Sequence, residues 1–371
     1  MRLSLSLLPV LTLMAAISAA DPAVAAAKKK VLIVVSSEAN APERPGFDME
    51  EFAQAYGVLQ ANGLAIEIAS PSGGAVQAER FNPEDDAVRA LPAAALEGLK
   101  ATRRTQDLQP GEHDAVFIVG GKGAMFDLPR DAALARYLAA QYQLGKVLAA
   151  VCHGPAALAS VTVNGQPLLQ GRRVTGFTNE EEAVFGKRWA KEFPWWLETK
   201  AREQGARWEE APLMLPKLVV DGRLVTGQNP FSTTQAAEAV VRLLGQAPVL
   251  RKPFREEASM ALAVRWLNGE RDAVALQLAS DGQRHKPDLI AMLGVYQFKS
   301  ATDAPTRRHA LSLMELAAPH FDHPRLQLTM AEARAQLGDK QQARELLSAL
   351  QARPGLDERT RNDARQLLAT L

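Results

Sequence analysis

The sequence contains a single cysteine, Cys152, among 371 residues. One cysteine excludes an intrachain disulfide framework and any zinc site built from several cysteines. The net charge is also small: 43 basic residues nearly balance 42 acidic ones, and the formal net charge is +1. This balance excludes the strongly basic surface typical of nucleic-acid-binding proteins, so we expect no nucleic-acid partner.

Long apolar runs are nearly absent, and the one candidate lies at the N-terminus. Arg2 is followed by an apolar stretch over residues 3–17 and then by small residues. This pattern is typical of a secretory signal peptide, which we predict over residues 1–25 with cleavage after Ala20 or Ala25. A retained membrane anchor is the alternative. No later segment reaches the roughly 20 apolar residues of a membrane span, so the mature chain is expected to be periplasmic or secreted, without a membrane partner.

The chain has enough apolar residues for a packed interior, at 47% hydrophobic and 23% charged. Its length exceeds one ordinary core and predicts two domains. From residue 28, continuous apolar runs such as KVLIVV, AVFIV and KVLAAV alternate with helical patterns. That alternation predicts an α/β fold over residues 28–247, with a doubly wound, mostly parallel sheet covered by helices on both faces.

Residues 256–371 show helical patterns and no convincing strand, and we predict an all-α domain of helical hairpins there. One stretch resembles a tetratricopeptide hairpin with a turn at Gly338-Asp339, and its packing positions are Ala331, Ala343, Leu347 and Leu350. A looser copy has Leu267, Gly269, Ala273 and Leu276 at the matching positions. Such hairpins need neighbours to bury their apolar faces. Two interpretations stay open: an array that binds a protein partner, and a helical cap packed on the first domain.

Cys152 stands in AAVCHGPAAL, between an apolar strand and a helix start. In an open α/β sheet, ligands bind beyond the carboxyl ends of the strands, where Ser36-Ser37, Gly120-Gly121 and Cys152 are all expected. A strand–nucleophile–helix turn exposes its side chain, and a helix N-terminus favours the thiolate. We therefore expect a reactive thiol with a pKa below the ordinary value. The alternative is a buried structural cysteine, against which the polar His153 argues.

Five motifs extend the pattern: GFDMEEFA, VGGKGAMFDLP, AVCHGPAAL, RVTGFTNEEE and VVDGRLVTGQNPFS. In this order they resemble the motifs of the DJ-1/PfpI superfamily, over roughly residues 28–247. The nearest branch is the Hsp31-like, class I glutamine amidotransferase-like proteins, which include glutathione-independent glyoxalases (glyoxalase III). The resemblance implies a flavodoxin-like sheet and chemistry at a nucleophilic cysteine.

The resemblance also implies roles for particular residues. Cys152 matches the family nucleophile, and His153 matches its neighbouring histidine. Glu51 matches the carboxyl that contacts the thiol, and because two acids this close cannot both be charged, we expect the two groups to share a proton. Glu182 matches the acid that orients the histidine.

Two of these assignments have competitors nearby. Glu50 is the nearest alternative to Glu51, and Glu182 belongs to a run of three glutamates that is also typical of a solvated helix start. For the developing oxyanion, the resemblance implies the glycine pair Gly120 and Gly121, together with the backbone N–H of His153.

Three functions remain compatible with the sequence. The first is a glyoxalase III-like lyase that takes a small aldehyde and needs neither metal nor cofactor. The second is a non-catalytic stress chaperone or redox-sensing interaction protein, and the third is a cysteine hydrolase of small amides or peptides. A homodimer is compatible with all three. The pair His320 and His323 is interpreted as surface, since no acidic or cysteine ligand stands near it in the sequence.

Overall fold

A computed structural model describes residues 28–371 of the chain. The predicted signal peptide at residues 1–25 lies outside this range, so export stays a prediction. Among residues 28–371, no helix combines the length and the apolar character that crossing a membrane requires.

A seven-stranded sheet forms the centre of the N-terminal region, in the order β10-β11-β5-β4-β1-β2-β3. All neighbouring strands run parallel except β10, which pairs with β11 in an antiparallel hairpin. The predicted mostly parallel α/β sheet is confirmed. Its strands are β1 (Lys30–Val34), β2 (Ala65–Ser70), β3 (Arg103–Arg104), β4 (Ala115–Ile118), β5 (Val147–Val151), β10 (Leu218–Asp221) and β11 (Leu224–Gly227). Two short pairs lie outside it: β6 (Thr162–Val163) with β7 (Gln166–Pro167), and β8 (Arg173–Val174) with β9 (Arg207–Trp208).

Helices cover both faces of this sheet, which explains why its central strands are continuous apolar runs. They are α1 (Met49–Ala61), α2 (Asp86–Arg89), α3 (Ala93–Lys100), α4 (Ala132–Gln143), α5 (Pro155–Leu158), α6 (Asn179–Phe185), α7 (Leu197–Glu203) and α8 (Thr233–Leu243). Buried residues of α1 and α8 pack with the strands in one core. Buried residues of α4, α5 and α7 form a second core on the opposite face.

The C-terminal region is helical, as predicted. Its helices are α9 (Arg255–Leu267), α10 (Arg271–Ser280), α11 (Pro287–Ser300), α12 (Ala304–Ala317), α13 (Pro324–Gln336), α14 (Lys340–Gln351) and α15 (Glu358–Thr370). The four packing positions predicted for the hairpin of α13 and α14 are all buried. The packing positions predicted for the looser copy are wrong in α10, where Ala273 and Leu276 are exposed. The buried face of α10 is formed by Val274 and Leu278 instead, which lie one helical turn apart.

The two regions share a hydrophobic core. Leu213, Met214 and Leu215, which precede β10, pack with buried residues of α9, α11 and α12. The Gln297 side chain of α11 donates a hydrogen bond to the Leu213 carbonyl at 2.9 Å. The helices are therefore packed as a cap on the α/β region, the second of the two arrangements that the sequence left open.

Candidate active site

Cys152 occupies a tight turn between β5 and the one-turn helix α5. Its φ is +56°, a left-handed conformation that non-glycine residues seldom adopt and that costs about 1–3 kcal/mol. Two backbone hydrogen bonds hold the turn: Cys152 N–H donates to Gly227 at 2.9 Å, and the Cys152 carbonyl accepts from Phe177 at 2.8 Å. The fold thus imposes a strained backbone at the one thiol, as the predicted strand–nucleophile–helix turn requires.

The Glu51 carboxyl reaches the thiol from the first turn of α1. Asp48 caps this helix by accepting hydrogen bonds from the N–H groups of Glu50 and Glu51, both at 3.0 Å. This N-terminal hydrogen bonding by Asp48 fixes the first turn of α1, in which Glu51 is fully buried beside Cys152. Its Oε2 accepts a hydrogen bond from Gly120 N–H at 2.7 Å, while the buried Oε1 has no hydrogen-bond partner among the described residues. One carboxyl oxygen is therefore fixed and the other is available to the reacting groups.

Burial and negative charge act together on these two acids. Burial, and then the charge of Asp48, raise the pKa of Glu51 well above its ordinary value. Burial, and then the charges of Glu51 and Asp48, raise the pKa of Cys152 as well. The low thiol pKa expected from the sequence is therefore wrong. Helix α5 has only four residues, too few for a strong dipole, and the acids around the sulfur outweigh it.

His153 and Glu182 form a buried pair next to the thiol. The Cys152 sulfur lies 3.5 Å from His153 Nδ1, and His153 Nε2 lies 2.9 Å from Glu182 Oε2. Both side chains are about 2% exposed. The imidazole stacks on Phe177, with ring centres 4.4 Å apart, and meets the edge of Phe193 at 5.7 Å. This arrangement can accept a proton at one nitrogen while the carboxylate fixes the other.

The two glycines have different surroundings. A Cβ at Gly120 would lie 2.7 Å from the Cys152 Cβ and 2.8 Å from Glu51 Oε2, so only glycine fits. The Gly120 N–H is used by Glu51, which corrects its expected role as an oxyanion or substrate-binding group. Gly121 has φ +90°, and its N–H is directed at the Cys152 sulfur. Within residues 28–371, the N–H groups of Gly121 and His153 donate to no protein oxygen, so they remain the two candidate oxyanion donors.

The remaining sequence candidates lie elsewhere. Ser36 and Ser37 follow the end of β1, as predicted, and the Ser37 N–H donates to Asp127 at 2.7 Å. Glu50 points toward Asp85 and Glu256, where α1 meets the helical cap. Glu51, and not its neighbour Glu50, is therefore the carboxyl that lies beside the thiol.

One segment that packs against the histidine was not predicted from the sequence. Residues 186–196 contribute Trp189 and Phe193, which pack with Phe126 and the His153 ring. A signal was present: four of the chain's 21 aromatic Phe, Trp and Tyr residues fall within positions 189–196. Such a density of rings in a short segment indicates that it packs against something.

Comparison with known proteins shows the family. The family model described as "DJ-1/PfpI family" matches residues 29–243, more than half of the chain.

This chain belongs to the DJ-1/PfpI family.

Two relatives of this DJ-1/PfpI protein are named glyoxalases. It is 32% identical over 214 residues to "Glyoxalase 3" of Candida albicans, covering 54% of this chain and 89% of that protein. It is 30% identical over 244 residues to "Glutathione-independent glyoxalase hsp3101" of Schizosaccharomyces pombe, covering 59% of this chain and 97% of that one. The crystal structure of glyoxalase III from Candida albicans superposes with a TM-score of 0.53 at 28% identity, over 58% of this chain and 97% of the other. These likenesses support an enzyme of this class.

Proposed function

We propose that this DJ-1/PfpI protein is a glutathione-independent glyoxalase that converts methylglyoxal or glyoxal into the corresponding hydroxy acid. The observation that carries the proposal is the buried group of Cys152, His153 and Glu51, which places a nucleophile between two proton carriers. The protein thiol takes the part that a soluble thiol would otherwise play, so the reaction needs no glutathione.

The first step forms a hemithioacetal. The Cys152 sulfur attacks the aldehyde carbon, a C–S bond forms, and the thiol proton passes to the carbonyl oxygen through the Glu51–His153 network. The N–H groups of Gly121 and His153 stabilise the negative charge that develops on this oxygen. Neither N–H donates to a protein oxygen of the described residues.

The second step is an internal proton transfer. One basic group removes the proton from the carbon bonded to sulfur, giving an enediol, and the proton returns to the neighbouring carbon. The product is a thioester of the 2-hydroxy acid, with no net change in oxidation state. Two proton carriers beside the same carbon suit this step, since His153 is oriented by Glu182 and Glu51 shares its pocket with the sulfur.

Water completes the cycle. It adds to the thioester carbonyl, the C–S bond breaks, and the hydroxy acid leaves with the thiol restored. Overall one dicarbonyl and one water give one hydroxy acid, so atoms balance without an oxidant or a reductant.

The test follows methylglyoxal and lactate by NMR with the purified chain in D₂O, without glutathione. We expect lactate to form in the wild type and to vanish in Cys152→Ala and His153→Ala. His320→Ala, at an exposed histidine of the helical cap, is the matched control and should retain wild-type turnover. Absence of lactate, with Cys152-dependent cleavage of amides or peptides, would replace the proposal by a hydrolase. Absence of all turnover, with selective oxidation of Cys152, would replace it by a redox-sensing protein.

A further inference from the structure

The thiol that the proposed reaction needs is almost closed to solvent. Cys152 is 4% exposed and His153 is 2% exposed. Phe193 lies against the His153 imidazole from the outer side and packs on Phe126, with ring centres 5.1 Å apart. The sulfur and the imidazole therefore present only a small accessible area to a substrate.

The segment 186–196 is attached to the body of the protein by side chains. Its backbone hydrogen bonds, among the described residues, stay within the segment or join it to the flanking helices α6 and α7. The Trp196 indole also donates internally, to the Ala190 carbonyl at 2.9 Å. Lys187 has φ +52° directly after Gly186, where α6 ends. The segment is therefore an internally bonded unit with a sharp backbone turn at its first end.

Arg44 connects this unit to the body. Its Nε donates to Glu38 at 2.7 Å on the body side, and its Nη1 lies 3.3 Å from Glu192 on the segment. The guanidinium also stands over two rings, 3.9 Å from the centre of Phe126 and 5.5 Å from that of Trp189. One side chain thus makes an ion pair with Glu192 and a cation–π contact with Trp189, beside the Arg188 hydrogen bond to the Glu43 carbonyl and the packing of the segment's rings against Phe126.

A cleft of about 590 Å³ lies on the outer side of the same unit. Arg188 and Trp189 form one wall, and Gly46 and Glu79 form part of the other. Glu79 accepts a hydrogen bond from the N–H of Lys122, the residue after the candidate oxyanion donor Gly121.

We propose that residues 186–196 form a lid over Cys152 and His153, that Arg44 is its latch, and that Phe193 limits the size of the molecules admitted. The identity of the admitted substrate rests on the proposed function. The opening of the lid does not depend on the proposed function, because any reagent that reacts with Cys152 measures access to the thiol.

The test measures second-order alkylation of Cys152 in the full chain by a small reagent, iodoacetamide, and a bulky one, fluorescein maleimide. Arg44→Met removes the latch, and Phe193→Ala shortens the side chain that covers the histidine. We expect either change to raise the rate with the bulky reagent about tenfold, equivalent to about 1.4 kcal/mol, and the rate with the small reagent by less. Hydrogen exchange of the amides of residues 187–195 should accelerate in parallel in Arg44→Met.

Arg172→Met is the matched control. Arg172 also stands over an aromatic ring, that of Tyr142 at 5.7 Å, and lies near a carboxylate, but it is not part of the lid or of the active site. Its alkylation rates should equal those of the wild type. Equal rates for wild type, Arg44→Met and Phe193→Ala with both reagents would overturn the lid, even if the glyoxalase activity were established. Should Phe193→Ala unfold by circular dichroism, Arg44→Met and its exchange pattern decide the question alone.

Discussion

Cys152 and Glu51 are two acids in one buried pocket, and each alters the titration of the other. Both pKa values lie above the ordinary ones because burial disfavours charge and because each negative charge opposes the next. Both shifts favour the protonated forms, which is the direction that the expected sharing of a proton needs. The thiolate needed for attack forms only when that proton resides on Glu51 or moves to His153.

Glu51→Gln separates thiol ionisation from catalysis. The change removes a negative charge that raises the pKa of Cys152, so the pH profile of alkylation should move to lower pH and the rate at neutral pH should rise. Lactate formation should nevertheless fall by about 100-fold or more, because a proton carrier is lost. Iodoacetamide kinetics across the alkaline range and NMR turnover measure the two effects.

Glu50→Gln is the matched control for this experiment. It is the neighbouring residue on the same helix, but it faces the helical cap. It should leave both the alkylation profile and the turnover near wild type. A profile that moves to higher pH in Glu51→Gln would mean that the carboxyl promotes thiolate formation, contrary to the directions argued above.

Gly120 is the point where three parts of the site meet. A methyl group there would lie 2.7 Å from the Cys152 Cβ, 2.8 Å from Glu51 Oε2 and 2.9 Å from His153 N. Gly120→Ala should therefore displace at least one of them and reduce turnover by about 100-fold or more, since small displacements of reacting groups are costly. Gly282→Ala, where the added carbon meets nothing within 4 Å, should keep wild-type activity. Wild-type turnover in Gly120→Ala would show that the site tolerates displacement of these groups.

At the scale of elements, helix α6 assigns different tasks to three successive glutamates. Glu180 is exposed, whereas its two neighbours are buried. Glu181 closes the capping box with Thr178 and accepts hydrogen bonds from Met214 N–H at 3.2 Å and the Asn229 amide at 2.8 Å. Glu182 alone reaches His153. The run EEE could not be divided in this way from its letters, because successive helical positions differ by about 100° in direction and only the packing decides which faces inward.

These three positions predict three separate outcomes. Glu182→Gln should reduce turnover by about 100-fold while leaving unfolding almost unchanged, since it weakens the orientation of the histidine. Glu181→Ala should lower the free energy of unfolding by about 2–4 kcal/mol, because it leaves several buried donors unpaired. Glu180→Gln should alter stability by under about 0.5 kcal/mol and leave turnover unchanged. Urea unfolding and NMR turnover on all three variants test the division, and equal losses in all three would refute it.

Other elements differed in how far they could be predicted. The parallel strands, α1 and the turn at Cys152 follow from local patterns: apolar runs, a helical pattern and a small-residue turn. The pKa of the thiol could not be predicted, because it depends on the length of α5 and on acids brought in from α1. The lid could not be placed either, since a cluster of aromatic residues shows that a segment packs but not on what.

At the scale of the whole molecule, the helical cap is joined to the α/β region at two places. Leu213, Met214 and Leu215 share their core with α9, α11 and α12. At the other side of the contact, the Arg255 N–H of α9 donates to Asp86 at 2.8 Å. The change to helical elements after the α/β region could be predicted from the change in pattern. The extent of the packing could not, because the residues that carry it lie in a loop before β10, without periodicity.

The contact between the helical cap and the α/β region also contains a cluster of buried and half-buried carboxyl groups around Glu50. Burial, and then the charge of Glu256, raise the pKa of Glu50 to about 7. The charged groups that act on this carboxyl are Asp48, Asp85, Arg80, Glu256 and Lys286. Lys286 is paired with Glu256 at 2.9 Å, so among these groups two cations, Arg80 and Lys286, face four carboxyls. The ionised form of Glu50 is therefore disfavoured in the folded protein.

The effect on stability has a definite sign. Because the pKa of Glu50 rises from 4.5 to about 7 on folding, the folded state binds the proton more tightly than the unfolded state between these values. Its contribution therefore favours folding at low pH, declines as the pH rises through this window and is constant above it.

Glu50→Gln removes the charge and should stabilise the protein by about 1–2 kcal/mol above pH ~7.5, after allowance for solvent screening, and by much less near pH ~5. Urea unfolding of wild type and variant at several pH values measures the difference, with Glu84→Gln, at an exposed carboxyl, as the control that should give none. A difference between Glu50→Gln and wild type that is independent of pH, or a variant less stable at high pH, would show that Glu50 binds the cap as an anion and that Lys286 outweighs the burial of the cluster.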